Sequence, residues 1–111
     1  MSTAQDFNEE RAGLNEIIMK YAGKTTKRFF NLDTNAYKEG ALPAKTKEML
    51  GLVASLVLRC DDCIKYHLDK CREYKVSDEE LDEVMSIGLI VGGSITIPHI
   101  RRAMKFWDEN K

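Results

Sequence analysis

The chain has 111 residues, of which 43% are hydrophobic and 32% are charged, and its formal net charge is -1. Because there is no basic excess, neither nucleic acid nor a membrane surface is expected as a partner. The apolar content is sufficient for one core, and a single domain is predicted over residues 1–111.

Three features of the sequence bear on where the protein works. Residues 1–7 lack the basic stretch followed by an apolar stretch that a secretory signal has. The longest nearly unbroken apolar run, residues 49–58, is about half of the ~20 residues that a membrane-spanning helix needs. The cysteine count of three is odd and does not suit a framework of structural disulfides. A cytoplasmic protein is therefore expected.

The first two predicted helices are amphipathic. Apolar residues at helical spacing from Phe7 to Tyr21 predict the first helix, and Gly23 suits its end. The second helix is predicted from about Thr25 to Tyr37, before a glycine and a proline break the chain. An amphipathic helix ordinarily turns its apolar stripe toward a core.

The third and fourth predicted helices form the middle of the chain. The third, from about Ala44 to Leu58, is apolar on more than one face, so it is expected to lie centrally. The fourth runs from about Asp61 to Tyr74, and Asp61 is a suitable N-cap for it.

The last two helices complete an all-α fold of about six helices. Ser77 and Glu80 have the spacing of a capping box, which marks the start of a fifth helix that ends near residues 92–93. Ser94 or Thr96 can cap the sixth helix. Its apolar stripe is predicted to consist of Ile97, Ile100, Met104 and Trp107. No alternating pattern typical of strands competes with this prediction.

The fourth helix carries the residues with the most distinctive chemistry. Spacings of three, four and four place four side chains on one stripe, namely Cys60, Cys63, His67 and Cys71. Cysteines at positions i and i+3 can form a disulfide when the first lies at or just before a helix N-terminus. The free N–H groups and the helix dipole at that end favour a thiolate, whereas Asp61 and Asp62 oppose it with their negative charge.

Two further residues are candidates for moving the thiol proton. His67 lies one turn beyond Cys63, where it can stabilise a thiolate or take its proton. Glu48 precedes the cysteines, but antiparallel packing of the third and fourth helices would bring it within about one turn of His67. Glu48 also shares a stripe with Leu52 and Leu56, so it is predicted to point inward, where a carboxylate needs a partner. A favourable charge in the first turn of its helix is the alternative role of Glu48.

The order Glu48, Cys60-x-x-Cys63 and His67 resembles the carboxymuconolactone decarboxylase superfamily, and within it the alkylhydroperoxidase D (AhpD)-like branch, over about residues 25–95. The resemblance implies that Cys60 and Cys63 are redox cysteines, that His67 is the relay histidine and that Glu48 moves protons through it. It also implies a homotrimer or homohexamer. One position departs from the branch, which has a histidine between the cysteines where this chain has Asp62.

These observations predict a thiol oxidoreductase that reduces peroxides or partner disulfides. The helix-end argument favours Cys60 as the exposed, attacking thiol, whereas the resemblance favours Cys63 as the one deprotonated through His67 and Glu48. The preferred assignment has Cys63 attacking a peroxide and Cys60 exchanging with a partner. The reductant, a protein or a small thiol, is not identified by the sequence. One alternative is a lyase like the branch that gives the superfamily its name, although that branch uses no cysteine pair. The other is a non-catalytic assembly module with a vestigial pair.

The remaining titratable residues of interest are predicted to be structural. Cys71 is expected to fill the core, and His99 is expected to be a surface or satisfied histidine. Zinc is disfavoured because a straight helix would place Cys60 and Cys71 ~16 Å apart along its axis, too far to share one ion. Neither a metal ion nor a cofactor is expected.

Overall fold

The computed structural model describes residues 3–111, so the first two residues of the N-terminal stretch read above lie outside it. This part of the chain contains six α-helices and one short 3-10 turn, as the all-α prediction requires. The helices are α1 (Ala4–Tyr21), α2 (Lys24–Ala36), α3 (Ala44–Val57), α4 (Asp61–Glu73), α5 (Asp78–Gly92) and α6 (Ile97–Glu109), with the 3-10 turn Ser94–Thr96 before α6. Within residues 3–111, no helix is both long enough and apolar enough to cross a membrane.

Local sequence explains where the helices begin and end. The predicted capping box is present at α5, where the Ser77 and Glu80 side chains each bind the other's backbone N–H. Gly93 ends α5 with a φ of 82°, a conformation that glycine adopts at little cost. The N-cap of α4 is Cys60 rather than the predicted Asp61, which is the first helical residue. The tight reversal before α4 explains this difference, because it leaves the Cys60 side chain over the first turn.

That reversal sets the geometry of α3 and α4. Arg59 adopts a left-handed φ of 59°, and its N–H bonds to the Leu56 carbonyl, while the Cys60 N–H bonds to the Ser55 carbonyl. These bonds satisfy carbonyls at the end of α3 and turn the chain sharply. As a result, α3 and α4 run back along each other and form the centre of the fold.

The core lies where α5 and α6 cover the α3 and α4 pair. Its fully buried side chains include Leu52, Leu56, Ile64, Leu68, Cys71 and Leu81. Burying a leucine or isoleucine side chain stabilises a fold by roughly 1.5–3 kcal/mol each. The central position predicted for α3 and the core position predicted for Cys71 are therefore confirmed.

The predicted apolar stripes of three helices need correction. Within the described residues, α1 and α2 bury no residue completely, and their stripe residues Leu14, Ile17, Ile18, Phe29 and Leu32 are exposed. Only the start of α1 reaches the core, where the Phe7 ring meets Phe106 edge to face at 6.0 Å. On α6 the buried residues are Ala103, Phe106 and Trp107, whereas Met104 faces outward.

Candidate functional site

The two cysteines of the Cys-x-x-Cys motif lie side by side at the start of α4. The Cys63 backbone N–H donates to Cys60 Sγ at 3.2 Å, so the Cys60 sulfur takes the place of a capping oxygen. Cys60 is half-buried, Cys63 is exposed, and both are free thiols. The pair is therefore accessible and arranged to close into a disulfide.

The Cys63 thiol does not ionise readily by itself. Burial, the hydrogen bond and charge of Cys60, and the charge of Asp62 raise the pKa of Cys63 to about 11, although Arg11 acts in the opposite direction. The helix N–H group that could stabilise a thiolate is directed at Cys60 instead. At neutral pH, Cys63 is consequently a thiol that requires a base to become a nucleophile.

A buried acid and imidazole lie one turn beyond the cysteines. Glu48 and His67 are only 4% and 7% exposed, and Glu48 Oε1 lies 2.8 Å from His67 Nδ1. Glu48 is directed inward from the same face of α3 as Leu52, which is fully buried. A buried carboxylate requires such a partner. The structure thus brings together the two residues that the sequence placed nineteen positions apart.

Tyr37 is part of this arrangement, although no sequence pattern selected it. Its hydroxyl lies 3.4 Å from His67 Nε2, and the two rings are 5.1 Å apart. Tyr66 packs its ring edge against the other side of the imidazole at 5.2 Å. The sequence signal for a close contact here was Gly51, a glycine inside a predicted core helix. In the structure, a Cβ at this position would lie 2.7 Å from both His67 Cε1 and Tyr37 Oη.

A second polar cluster joins the start of α4 to α6. Asp61 Oδ1 lies 2.8 Å from His99 Nδ1, and Asp61 Oδ2 accepts from Arg102 Nε at 3.0 Å. Burial acts to raise the pKa of Asp61, but the hydrogen bonds from His99 and Arg102 outweigh it, and the pKa is lowered. His99 is therefore a satisfied histidine. The Arg102 guanidinium compensates the negative charge of Asp61, which was expected to oppose a thiolate at the cysteines.

The third cysteine lies apart from Cys60 and Cys63. Cys71 is completely buried among apolar side chains, and burial raises the pKa of its thiol to about 12. It is thus an inert member of the core. Within residues 3–111, no three histidine, cysteine or carboxylate side chains are arranged so that they could hold a metal ion.

Known proteins resemble this chain in sequence and in fold. A model of the carboxymuconolactone decarboxylase family matches residues 23–106, somewhat more than the range over which the motifs suggested it. Two crystal structures of TM1620 from Thermotoga maritima are 55% and 56% identical to this chain, with TM-scores of 0.92 and 0.89. They cover 95% and 93% of this chain and 92% and 87% of their own. One is described as a carboxymuconolactone decarboxylase family protein with a suggested part in an antioxidative response.

More distant relatives extend the comparison. Apo-lpg0406 from Legionella pneumophila, another protein of this family, is 23% identical and has the same fold, with a TM-score of 0.85 over 96% of this chain and 95% of its own. An uncharacterised protein of Cupriavidus necator is 29% identical over 73 residues, which are 66% of this chain and 65% of that relative. The chain thus spans slightly less than two thirds of that relative's length. These likenesses are consistent with the AhpD-like branch, and the chain belongs to the carboxymuconolactone decarboxylase family.

Proposed function

We propose that this protein is a thiol-dependent oxidoreductase that reduces peroxides or partner disulfides by cycling Cys60 and Cys63 between dithiol and disulfide. The observation that carries the proposal is the contact between the two cysteines at the start of α4, one turn from a buried carboxylate and imidazole. A base is useful here because the pKa of Cys63, at about 11, keeps this residue a thiol at neutral pH.

The peroxide reaction has three balanced steps. The Cys63 thiolate attacks the O–O bond, so the sulfur becomes a sulfenic acid and the other oxygen leaves as an alcohol or water. The Cys60 sulfur then attacks the sulfenic sulfur, which forms the Cys60–Cys63 disulfide and releases water. Two thiols of a reductant, either a protein dithiol or a small thiol, return the pair to the dithiol form and leave as a disulfide.

Glu48 and His67 have complementary parts in this cycle. His67 takes the proton that leaves Cys63, and the Glu48 carboxylate at 2.8 Å stabilises the resulting imidazolium. Burial strengthens this interaction because little water screens it. The same pair can return the proton when the disulfide is reduced.

The comparisons and the chemistry support the same assignment. The suggested antioxidative part of the Thermotoga maritima relative is in keeping with peroxide reduction. A cytoplasmic location suits the proposed cycle, because thiol reductants there can restore the dithiol. The lyase alternative is less well supported, since the accessible groups at this site are sulfur atoms.

The decisive experiment counts thiols by mass spectrometry before and after mild peroxide treatment of the reduced protein. We expect two of the three thiols to be lost and peptide mapping to join Cys60 to Cys63. The Cys71→Ala variant is the control and should lose both of its thiols in the same way. A crosslink that includes Cys71, or a Cys63→Ser variant that retains full peroxide turnover, would contradict the proposed cycle.

A further inference from the structure

Both nitrogens of the His67 ring already have a neighbour. Nδ1 faces Glu48 Oε1 at 2.8 Å, and Nε2 faces Tyr37 Oη at 3.4 Å. The imidazole itself is buried, at 7% exposure. Since the Glu48 carboxylate occupies Nδ1, a proton from outside can reach the ring only on the Nε2 side, where the Tyr37 hydroxyl lies.

We propose that the Tyr37 hydroxyl is the group through which protons pass between Cys63 and His67 Nε2. This inference rests on the proposed function, because it adds a member to the relay that serves the Cys60–Cys63 cycle. Tyr37 passes the proton on to His67 and does not attack the substrate, so it is a member of the proton relay. A hydroxyl suits the task, since it can accept one proton while donating another.

The proton transfer balances without an oxidant or a reductant. The Cys63 S–H bond breaks and its proton moves to Tyr37 Oη, directly or across one water molecule, while the Tyr37 O–H proton moves to His67 Nε2. The products are a Cys63 thiolate, an unchanged neutral phenol and an imidazolium that the Glu48 carboxylate stabilises. The 3.4 Å separation is long for a hydrogen bond, as is common for relay contacts in a resting site.

Tyr37 lies between the buried His67 imidazole and a groove that is open to solvent. Tyr37 is half-buried and lines a groove of about 380 Å³ together with Leu42, Leu50 and Gly51. A group in this position is accessible to solvent on one side and contacts His67 on the other. This is the arrangement that a proton carrier requires.

The charges around Tyr37 keep its hydroxyl neutral. Burial raises its pKa above the usual value, and the charges of Asp33 on α2, Glu48 on α3, and Tyr66 and Cys63 on α4 raise it further. Cys63 lies one turn before His67 on α4, so the thiol is on the helix stripe of the imidazole that the phenol contacts. A phenol held neutral retains the proton that it has to donate to Nε2.

Gly51 makes the contact between Tyr37 and His67 possible. A Cβ at this position would lie 2.7 Å from Tyr37 Oη and 2.9 Å from His67 Nε2, so any larger residue would separate the two groups. Glycine inside a helix is less favourable than alanine. The missing side chain of Gly51 leaves the space in which the Tyr37 and His67 rings approach each other. This contact offsets the unfavourable effect of the glycine on the helix.

The test measures how fast Cys63 is alkylated as a function of pH in the full chain, with peptide mass spectrometry identifying the modified cysteine. Tyr37→Phe keeps the ring and removes the hydroxyl. We expect it to slow alkylation at pH 7 by about tenfold and to approach the parental rate at alkaline pH, where hydroxide removes the proton. Tyr74→Phe is the matched control, because Tyr74 is an exposed tyrosine at the far end of α4, and its profile should be parental.

The direction of the change distinguishes the relay from a simple hydrogen bond. If Tyr37 only donated to a neutral imidazole, its loss would favour protonation of His67, and alkylation at pH 7 would be unchanged or faster. Either result would overturn the proposal. The Gly51→Ala variant keeps both side chains and displaces them, so it should slow alkylation as Tyr37→Phe does, whereas Gly13→Ala, which meets no neighbour, should not.

The same variants separate this inference from the proposed function. Peroxide treatment of the parent either joins Cys60 to Cys63 or does not, and that result concerns the cycle alone. Suppose that the parent forms the disulfide while the Tyr37→Phe variant has the parental pH profile of alkylation. The Cys60–Cys63 cycle would then stand, and the role of Tyr37 in proton transfer would be refuted.

Discussion

Cys60 and Cys63 are three residues apart, but their sulfur atoms have different electrostatic surroundings. The Cys60 sulfur accepts a backbone N–H from the first turn of α4 at 3.2 Å. The Cys63 sulfur is next to Cys60 and Asp62, and these neighbours together with burial raise its pKa to about 11. In the proposed cycle, the buried pair of Glu48 and His67 assists the deprotonation of Cys63, while the backbone N–H at the helix start is directed at Cys60.

The relay can be tested through the pH dependence of Cys63. Because alkylation follows the thiolate fraction, a cysteine without a base should gain rate with each pH unit up to about its pKa, which is about 11 here. We expect His67→Gln, which cannot accept a proton, to slow alkylation at pH 7 by about tenfold or more and to reach the parental rate near pH 11. Glu48→Gln should act in the same direction but more weakly.

The control addresses the simpler role of Glu48 as a helix charge. Glu79 is an exposed carboxylate in the first turn of α5, so Glu79→Gln removes a first-turn charge far from the thiols. This change should alter stability by no more than about 1 kcal/mol and leave the alkylation profile parental. Parental profiles in both His67→Gln and Glu48→Gln would show that the pair does not serve the thiol.

The site residues were predictable to different degrees. Cys60, Cys63 and His67 share one helical stripe, so spacing alone placed them together, and the inward face of α3 identified Glu48. Tyr37 follows the end of α2, where no periodicity connects it to α4. The contact of Asp61 with His99 spans 38 positions of sequence and depends on how α6 crosses the start of α4. Helical spacing carries no information about such a crossing.

At the scale of whole helices, α4 is held against α6 at both ends. At its start, Asp61 binds His99 and Arg102. At its end, the Arg72 guanidinium lies 3.6 Å from the centre of the Trp107 ring and donates to the Trp107 carbonyl. The helix that carries Cys60, Cys63 and His67 is therefore held against α6 at both of its ends.

The contact at the start of α4 predicts how stability changes with pH. The pKa of Asp61 is lowered in the fold, because the hydrogen bonds from His99 and Arg102 outweigh burial. A carboxylate with a lowered pKa stabilises the fold above the pKa of the unfolded chain, about 3.9, and this contribution disappears as the pH falls through the folded pKa. We expect Asp61→Asn to lower the free energy of unfolding at pH 7 by about 0.5–1 kcal/mol, a modest value because the pair is partly exposed.

Urea unfolding from pH 7 down to about pH 2 measures this effect. The difference between the parent and Asp61→Asn should be constant near neutrality and shrink below about pH 5. Asp108→Asn, which changes an exposed carboxylate on α6, should show no comparable pH-dependent difference. A constant difference at every pH would indicate that Asp61 stabilises the fold by packing rather than by charge.

The sequence specified the helices better than the faces they bury. Capping boxes, breakers and apolar periodicity located all six helices to within a few residues, because these signals are local. The same periodicity on α1 and α2 did not reveal that their apolar stripes would remain uncovered within the chain. A stripe shows that a helix has a side to bury, and the partner that buries it depends on the arrangement of the other helices.

At the scale of the whole molecule, the uncovered apolar surface is the most conspicuous feature. The Cα radius of gyration is 14.5 Å, larger than the roughly 13 Å expected of a compact domain of this length. Phe29 and Leu32 on α2 are 65% and 68% exposed, and Ile87 and Val91 on α5 line a largely apolar groove of about 650 Å³ against α3. Apolar patches of this extent ordinarily mark surfaces that associate.

Self-association is the arrangement that would cover these surfaces, and we propose a homotrimer or homohexamer. Light scattering coupled to size-exclusion chromatography should then give a mass that is three or six times the 12.7 kDa of the chain. Replacing Phe29 and Leu32 together by glutamate places two charges in the exposed stripe of α2, where burial between subunits would be costly, so the variant should elute as smaller species. Asn31→Glu, on the other side of the same helix, is the matched control and should retain the parental mass. A parent that runs as a monomer at micromolar concentration would contradict the proposal and would leave α1 and α2 as an exposed apolar pair.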